Sequence, residues 1–483
     1  MADLTGAASR SASPPPMSAS LDKPGIERSA ASALGRGLCF LTILFASGDV
    51  WPVIRIGFTF RFAQVGTMLA AVLLLSDRNL RIRGFPGVTW LYGFILWITL
   101  TLPLSLFFER SVGYVMWAIT DALTIVTFVH YFDTEARMHS LLRWYCIGFI
   151  ALSWFGLLQL LLGLRGIDLL VQEWWIPGRL PRISGLSYEP SYYATYLIPG
   201  WVFSAYLIET KVASPGRALI WTCFISTTLA LTFSTSRMGW LMMILWIVFR
   251  ASTRTLRALL RGVVGRRSLL GTWSTALAAV LVGALLLQYG NQVASSISAG
   301  VFLFQGVGLF DQSASSSTSR IDDFEQTWDA FTERPVIGSG IGALPVEIAA
   351  QSDEGVVSLE DAKAHEGMSV IVELLASTGL IGGLLTLAFA LTIVLRYRQS
   401  WTMAPPSQRD ILSGVAWGVI WILLILQFNQ NFLRIYLFVD LAVLLCCIMA
   451  VSHGDYARRP SRGEADAPRI DDGAEAQAIA GSR

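Results

Sequence analysis

Four short stretches of the sequence carry side chains suited to chemistry. Leu231–Arg250 turns sharply at Ser234-Thr235-Ser236-Arg237, between two apolar stretches and with almost no loop. A cation at a membrane boundary is costly unless it faces a polar cavity or an anion. Arg237 therefore reads as an anion ligand, with three hydroxyls beside it; the alternative is an arginine that snorkels to lipid phosphates. Arg320 opens a helical pattern, where the helix N-terminus and a guanidinium both favour phosphate; the alternative is a solvated loop arginine. His365 begins the apolar run Ala364-His365-Glu366-Gly367, and a neutral imidazole there can take a proton from a hydroxyl. The alternative is a polar cap on a membrane helix. Glu366 adjoins it, and Glu373, two turns further on, is an acid inside an apolar run that faces a cavity. Glu189 lies in Tyr188-Glu189-Pro190-Ser191, with Pro190 in the first turn of a helix. Its carboxylate suits a base, a ligand for a substrate hydroxyl, or a plain complement to the helix dipole. Arg182 precedes it on the same segment. Tyr188, Tyr192 and Tyr193 suit either an interfacial aromatic belt, the favoured reading, or stacking on sugar rings. Asp121 and Asp440 also lie within apolar runs, paired with another helix or lining a cavity.

The elements that must position these residues are membrane helices. Of 483 residues, 54% are hydrophobic and 14% are charged, against about 25% charged in a soluble domain. The net charge of +2 gives no argument for nucleic acid. Cys39, Cys146, Cys223, Cys446 and Cys447 all fall in apolar runs, so neither a disulfide framework nor a metal site is expected. Apolar runs lie at about 38–53, 60–76, 87–107, 111–131, 141–163, 190–208, 218–234, 237–250, 270–288, 367–395, 411–428 and 433–452. The run from Arg237 to Phe249 is short for a span. The fold class expected is all-α, a polytopic membrane protein with about 12 transmembrane helices. Arg and Lys crowd alternate loops, which puts both termini in the cytoplasm. Arg165, Arg179, Arg182, Arg237, Arg320, Arg334 and Arg434 then fall outside, where positive charge is disfavoured.

The expected divisions are a disordered tail at 1–35, nine helices in 36–288, a large outer loop at 289–366, three helices in 367–452, and a second tail at 453–483. The outer segment at 164–189 carries Trp174 and Trp175, which suit an interfacial helix. In the large loop Ile321, Phe324, Trp328 and Phe331 recur at helical spacing, Ser319 suits the cap, and Pro335 with Gly338, Gly340 and Gly342 ends the helix. This amphipathic helix is expected to lie over the membrane mouth.

Three pieces in this order resemble the O-antigen ligase and polymerase superfamily: the Ser-Arg-Met-Gly turn at 236–239, the Arg320-to-Pro345 stretch, and Ala364–Gly383. The resemblance covers about 218–395 by motif and the whole chain by topology. It implies a GT-C-like, metal-independent glycosyltransferase without cofactor, in a bacterial inner membrane, with its site facing the periplasm. The donor implied is a polyprenyl-pyrophosphate-linked glycan, and the acceptor a glycan or lipid. Membrane lipids and other polysaccharide-assembly proteins are the implied partners. Carried over, Arg237 and Arg320 hold the pyrophosphate and His365 activates the acceptor hydroxyl. Glu366 stands where the family often has Asn, which leaves the base open between His365 and a carboxylate. The Tyr-Glu-Pro-Ser piece around Glu189 is more similar to polymerases than to ligases. The other function classes are a secondary transporter or lipid-linked-glycan flippase, and a non-catalytic membrane scaffold.

Overall fold

The computed structural model describes residues 26–56, 58–76, 84–176, 180–260, 273–274, 277, 280–281, 324–351, 369–428 and 432–458. The elements run α1 (Ile26–Leu44), β1 (Val53–Ile56), β2 (Phe58–Arg61), α2 (Phe62–Leu75), α3 (Val88–Leu100), α4 (Phe108–Tyr131), α5 (Glu135–Gly163), β3 (Glu173–Ile176), β4 (Leu180–Arg182), α6 (Pro190–Thr210), α7 (Arg217–Ser234), α8 (Arg237–Leu260), α9 (324–333), α10 (Leu344–Gln351), α11 (Val370–Met403), α12 (Pro406–Ile425) and α13 (Ile435–Arg458). The chain is a helical, multi-pass membrane protein. Six helices among the described residues are long and apolar enough to cross a bilayer: α4, α5, α7, α11, α12 and Ile435–Ser452 of α13. α2 and α3 have 14 and 13 residues, so each reaches only about 20 Å and falls short of a ~30 Å hydrocarbon core unaided. The run at 270–288 lies almost wholly outside the described residues.

α6 and α13 form the centre. α6 is buried on nearly every side from Tyr193 to Ser204 and packs on α12 and α7, while α13 packs on α4 and α12. Close approach of α6 to α12 depends on the Gly414-x-x-x-Gly418 spacing. A Cβ on Gly414 would sit 3.1 Å from the Phe203 ring, and one on Gly418 would sit 3.2 Å from Pro199 O. α11 is the least buried of the six candidate spans. Leu380, Leu384, Leu387, Leu391 and Leu395 are all exposed along it, which is what a lipid-facing stripe requires.

Local sequence explains where the structure departs from the expected spans. α1 starts at Ile26, inside the expected tail, and stops at Leu44. Gly48 and Pro52 interrupt the first apolar run, and the β-branched and aromatic residues after them form the β1–β2 hairpin. Trp174 lies in a strand and not in the expected interfacial helix, because Trp174, Trp175 and Ile176 favour extended backbone and Pro177-Gly178 follows them. α8 has 24 residues, well beyond the expected stop at Phe249. Arginine is a good helix former, and Arg250 and Arg254 both bind Glu209 of α6, with Nε···O distances of 2.9 and 3.1 Å. Arg250 also lies over the rings of Tyr206 and Trp246. This fixes α8 to α6 at the end of the bundle away from Arg237.

Candidate functional site

Glu189 is delivered by a loop whose backbone is held at several points. Gln159, buried on α5, accepts from Ser184 N and Gly185 N at 3.3 and 2.8 Å. Its amide donates to Gly185 O at 2.8 Å and to Leu169 O at 3.1 Å. The next residues dock on the turn after α1. Leu186 O accepts from Asp49 N and Val50 N at 3.0 and 3.1 Å, and Ser187 Oγ donates to Ser47 O at 3.1 Å. The chain then reaches Glu189 in extended conformation, and Pro190 begins α6 as its fixed φ suits. Ser191 Oγ donates to Glu189 Oε2 at 2.8 Å. The half-buried carboxylate thus stands at the head of a central helix. Of the three tyrosines, Tyr188 is exposed, Tyr192 is half-buried, and Tyr193 is a core residue whose hydroxyl donates to Leu152 O at 2.7 Å. Tyr193 therefore serves neither a belt nor a ligand.

The turn before Arg237 uses its hydroxyls on itself. Ser234 Oγ donates to Leu231 O at 2.8 Å, and Ser236 Oγ accepts from Gly239 N at 3.3 Å, which caps α8. Thr235 holds the left-handed conformation that reverses the chain. Arg237 is exposed at the first position of α8. Its cation therefore meets the positive end of the helix dipole, an arrangement that an anion relieves. Arg182, on β4, forms an ion pair with its cross-strand neighbour Glu173. Its Nε donates to Thr235 Oγ1 at 3.3 Å. Arg182, Glu189 and the Arg237 turn therefore share one end of the bundle.

A third segment completes that end. α11 breaks at Gly379, with φ 68° and ψ −175°, a region open essentially to glycine alone. In lipid the backbone groups freed by a break must find internal partners. Here Ala376 O accepts from Ser339 N at 2.9 Å, Ser377 O from Gly340 N at 3.1 Å, and Thr378 O from Trp97 Nε1 at 2.9 Å. Leu380 N donates to Pro335 O at 2.7 Å. The expected glycine turn after the amphipathic helix thus seals the break in the neighbouring span. Ser339 O also accepts from Leu106 N at 3.2 Å, ahead of α4. Glu373 is buried in the first turn of α11. α9 turns Thr327 and Ala330 inward, while Phe324 and Trp328 of the expected apolar face are exposed. They suit contact with lipid more than with the protein.

Sequence reasoning missed a buried ion network beside Glu189. Asp49 Oδ1 binds Arg61 Nε at 2.6 Å and Arg434 Nη1 at 3.1 Å, and all three side chains are at least 89% buried. The Arg61 guanidinium lies 5.0 Å from the Trp117 ring centroid, and that of Arg434 lies 4.5 Å from Tyr192. Two cations on one carboxylate leave one positive charge in a low-dielectric interior. Asp121, fully buried one helical turn beyond Trp117, lies within electrostatic reach of both arginines. Arg434 was legible as an outer arginine without a topological reason. Asp49 and Arg61 were hidden because they fall inside apolar runs that read as spans. Arg320, His365 and Glu366 lie outside the described residues, so Arg182, Glu189, Arg237 and Glu373 are the expected site residues that can be placed.

Residues 221–387 match the family model of the O-antigen ligase. A search of curated proteins finds no match to the chain. The matched region begins in α7, runs through Arg237 and the glycine turn, and ends in α11 past Gly379. Those are the elements that meet at the end of the bundle just described, and over this region the chain is similar to the O-antigen ligase family.

Proposed function

We propose that the protein is a membrane glycosyltransferase of surface-polysaccharide biosynthesis. It transfers a glycan from a polyprenyl-pyrophosphate carrier to a sugar hydroxyl at the periplasmic face of a bacterial inner membrane. The observation that carries this reading is the contact of Arg182 with Thr235. It brings the segment leading to Glu189 against the turn that presents Arg237, where the family match also lies.

In this reaction the acceptor oxygen attacks the anomeric carbon, the bond from that carbon to the pyrophosphate oxygen breaks, and the electron pair leaves with the pyrophosphate. Arg237 and Arg320 hold the departing diphosphate, with Arg182 adding positive charge nearby. Their contribution is greatest as negative charge builds on the leaving group. The hydroxyl proton passes to His365 or to a carboxylate, Glu366 or Glu189. Glu373 binds substrate below the mouth. The polyprenyl tail stays in lipid, beside the apolar outer stripe of α11. The Tyr188-Glu189-Pro190-Ser191 piece favours a polymerase, in which the acceptor is another glycan chain, over a ligase.

Lipid-linked oligosaccharides extracted from a deletion strain test the proposal. Single repeat units on the carrier with no polymer are expected. Polymer retained on the carrier would move the assignment to ligase, and an unchanged glycan profile would overturn the enzymatic reading.

A further inference from the structure

We infer that Asp49 is a positioning residue for Glu189, acting through its ion pairs with Arg61 and Arg434; the inference rests on the role proposed for Glu189. Asp49 grips the Glu189 segment at two points. Upstream, its backbone N–H donates to Leu186 O at 3.0 Å. Downstream, its carboxylate binds Arg434 at 3.1 Å, and that guanidinium lies 4.5 Å from the centroid of Tyr192. Leu186 and Tyr192 stand three residues to either side of Glu189. Tyr192 is in the first turn of α6, so its ring and the Glu189 backbone move together.

The carboxylate is the part that makes the grip rigid. Asp49 Oδ1 also binds Arg61 Nε at 2.6 Å, and Arg61 is the residue at which β2 passes into α2. One oxygen therefore ties the head of α2 to the head of α13, with the Glu189 segment held alongside. In a buried, low-dielectric setting such a pair has few competing partners, so its geometry is narrowly defined. Loss of the charge on Asp49 leaves two buried arginines facing each other, and they separate. Arg434 then withdraws from Tyr192, and the Glu189 segment keeps only its upstream hold.

Every native cysteine is buried, and Tyr188 beside Glu189 is 59% exposed. A spin label on Tyr188→Cys in the purified full-length protein therefore reports on this segment. Asp49→Asn, which keeps shape and removes charge, is expected to narrow the label's spectrum and to lower polysaccharide output in cells about tenfold. Arg434→Gln should act in the same way, and Arg434→Lys should restore much of both. Tyr192→Leu, which removes only the ring beneath the Arg434 guanidinium, serves as the mild variant if Asp49→Asn does not fold, and should loosen the label to a smaller degree. An unchanged label spectrum in folded Asp49→Asn and Arg434→Gln, or in Tyr192→Leu where Asp49→Asn does not fold, would overturn the proposal. So would a loosened label with full polysaccharide output, provided that Glu189→Gln itself abolishes output. If Glu189→Gln is silent while the label loosens, the role of Glu189 falls and the clamp stands.

Discussion

Arg182 donates from Nε to Thr235 Oγ1 at 3.3 Å while its Nη1 holds Glu173. One guanidinium thus links the β3–β4 hairpin to the turn that starts α8. Charge and position are both supplied by this group, and the two can be separated by mutation. Arg182→Ala removes the charge and the link. Arg182→Lys keeps the charge but has no planar fork to reach both partners. We predict a loss of long-chain product of at least about 10²-fold in Arg237→Ala, the size expected for a lost contact to developing charge. Arg182→Ala should be similar or milder, and Arg182→Lys intermediate. Gel profiles of surface glycan, read beside immunoblots of the membrane fraction, check this. Wild-type profiles in both alanine variants would remove the anion site from the account.

Gln159 is the internal support of the Glu189 loop. Gln159→Leu keeps the volume and strands the amides of Ser184 and Gly185, which now donate to its side chain. Each buried unsatisfied group costs about 1–3 kcal/mol. The variant should unfold in detergent at a lower temperature and should lose product, and a thermal midpoint equal to wild type would show that water replaces the amide.

Gly379→Ala is predicted to be among the most damaging single-atom-scale changes in the chain. The backbone conformation alone costs about 1–3 kcal/mol for an alanine, and its Cβ would run into the Val336 carbonyl. Either the break in α11 or the docked turn must shift. Thermal unfolding of the purified protein should show a large drop, and full stability would mean that the break is not held as described.

At the opposite end, Arg250 and Arg254 share Glu209 but differ in exposure, with side chains 7% and 51% exposed. Breaking a buried pair costs about 3–5 kcal/mol, whereas an exposed one is worth about 0–1 kcal/mol. Arg250→Ala should therefore lower stability strongly and Arg254→Ala hardly at all, with transfer activity per folded molecule unchanged in both. Equal effects on unfolding would contradict the assigned difference in burial.

The helices were largely legible because apolar runs of membrane length admit few other structures. The Arg237 turn was legible because a cation between two such runs has no cheap place to sit. What escaped the sequence is instructive. Asp49 and Arg61 lay in runs counted as spans, and only long-range pairing with Arg434, distant in the chain, reveals their role. The end of α8 was placed too early because hydropathy stops at Phe249 while the backbone helix continues through arginines paired with Glu209. Trp174 and Trp175 suit an interfacial helix as aromatics at a membrane boundary, and the extended preference of this run prevails. Tyr193 read as a surface aromatic because burial on all sides of α6 depends on α5 and α12, which local pattern does not show.

The seal over Gly379 has a mechanical consequence. A hydrogen bond in water can be traded for one to solvent at little cost, but the bonds from Ser339, Gly340 and Trp97 to the α11 carbonyls have no such exchange partner in hydrocarbon. Peeling the 335–340 strip away would bare several peptide groups to lipid at once. The strip and the first turns of α11 therefore behave as a single rivet, and any opening that admits a bulky chain must hinge somewhere other than here.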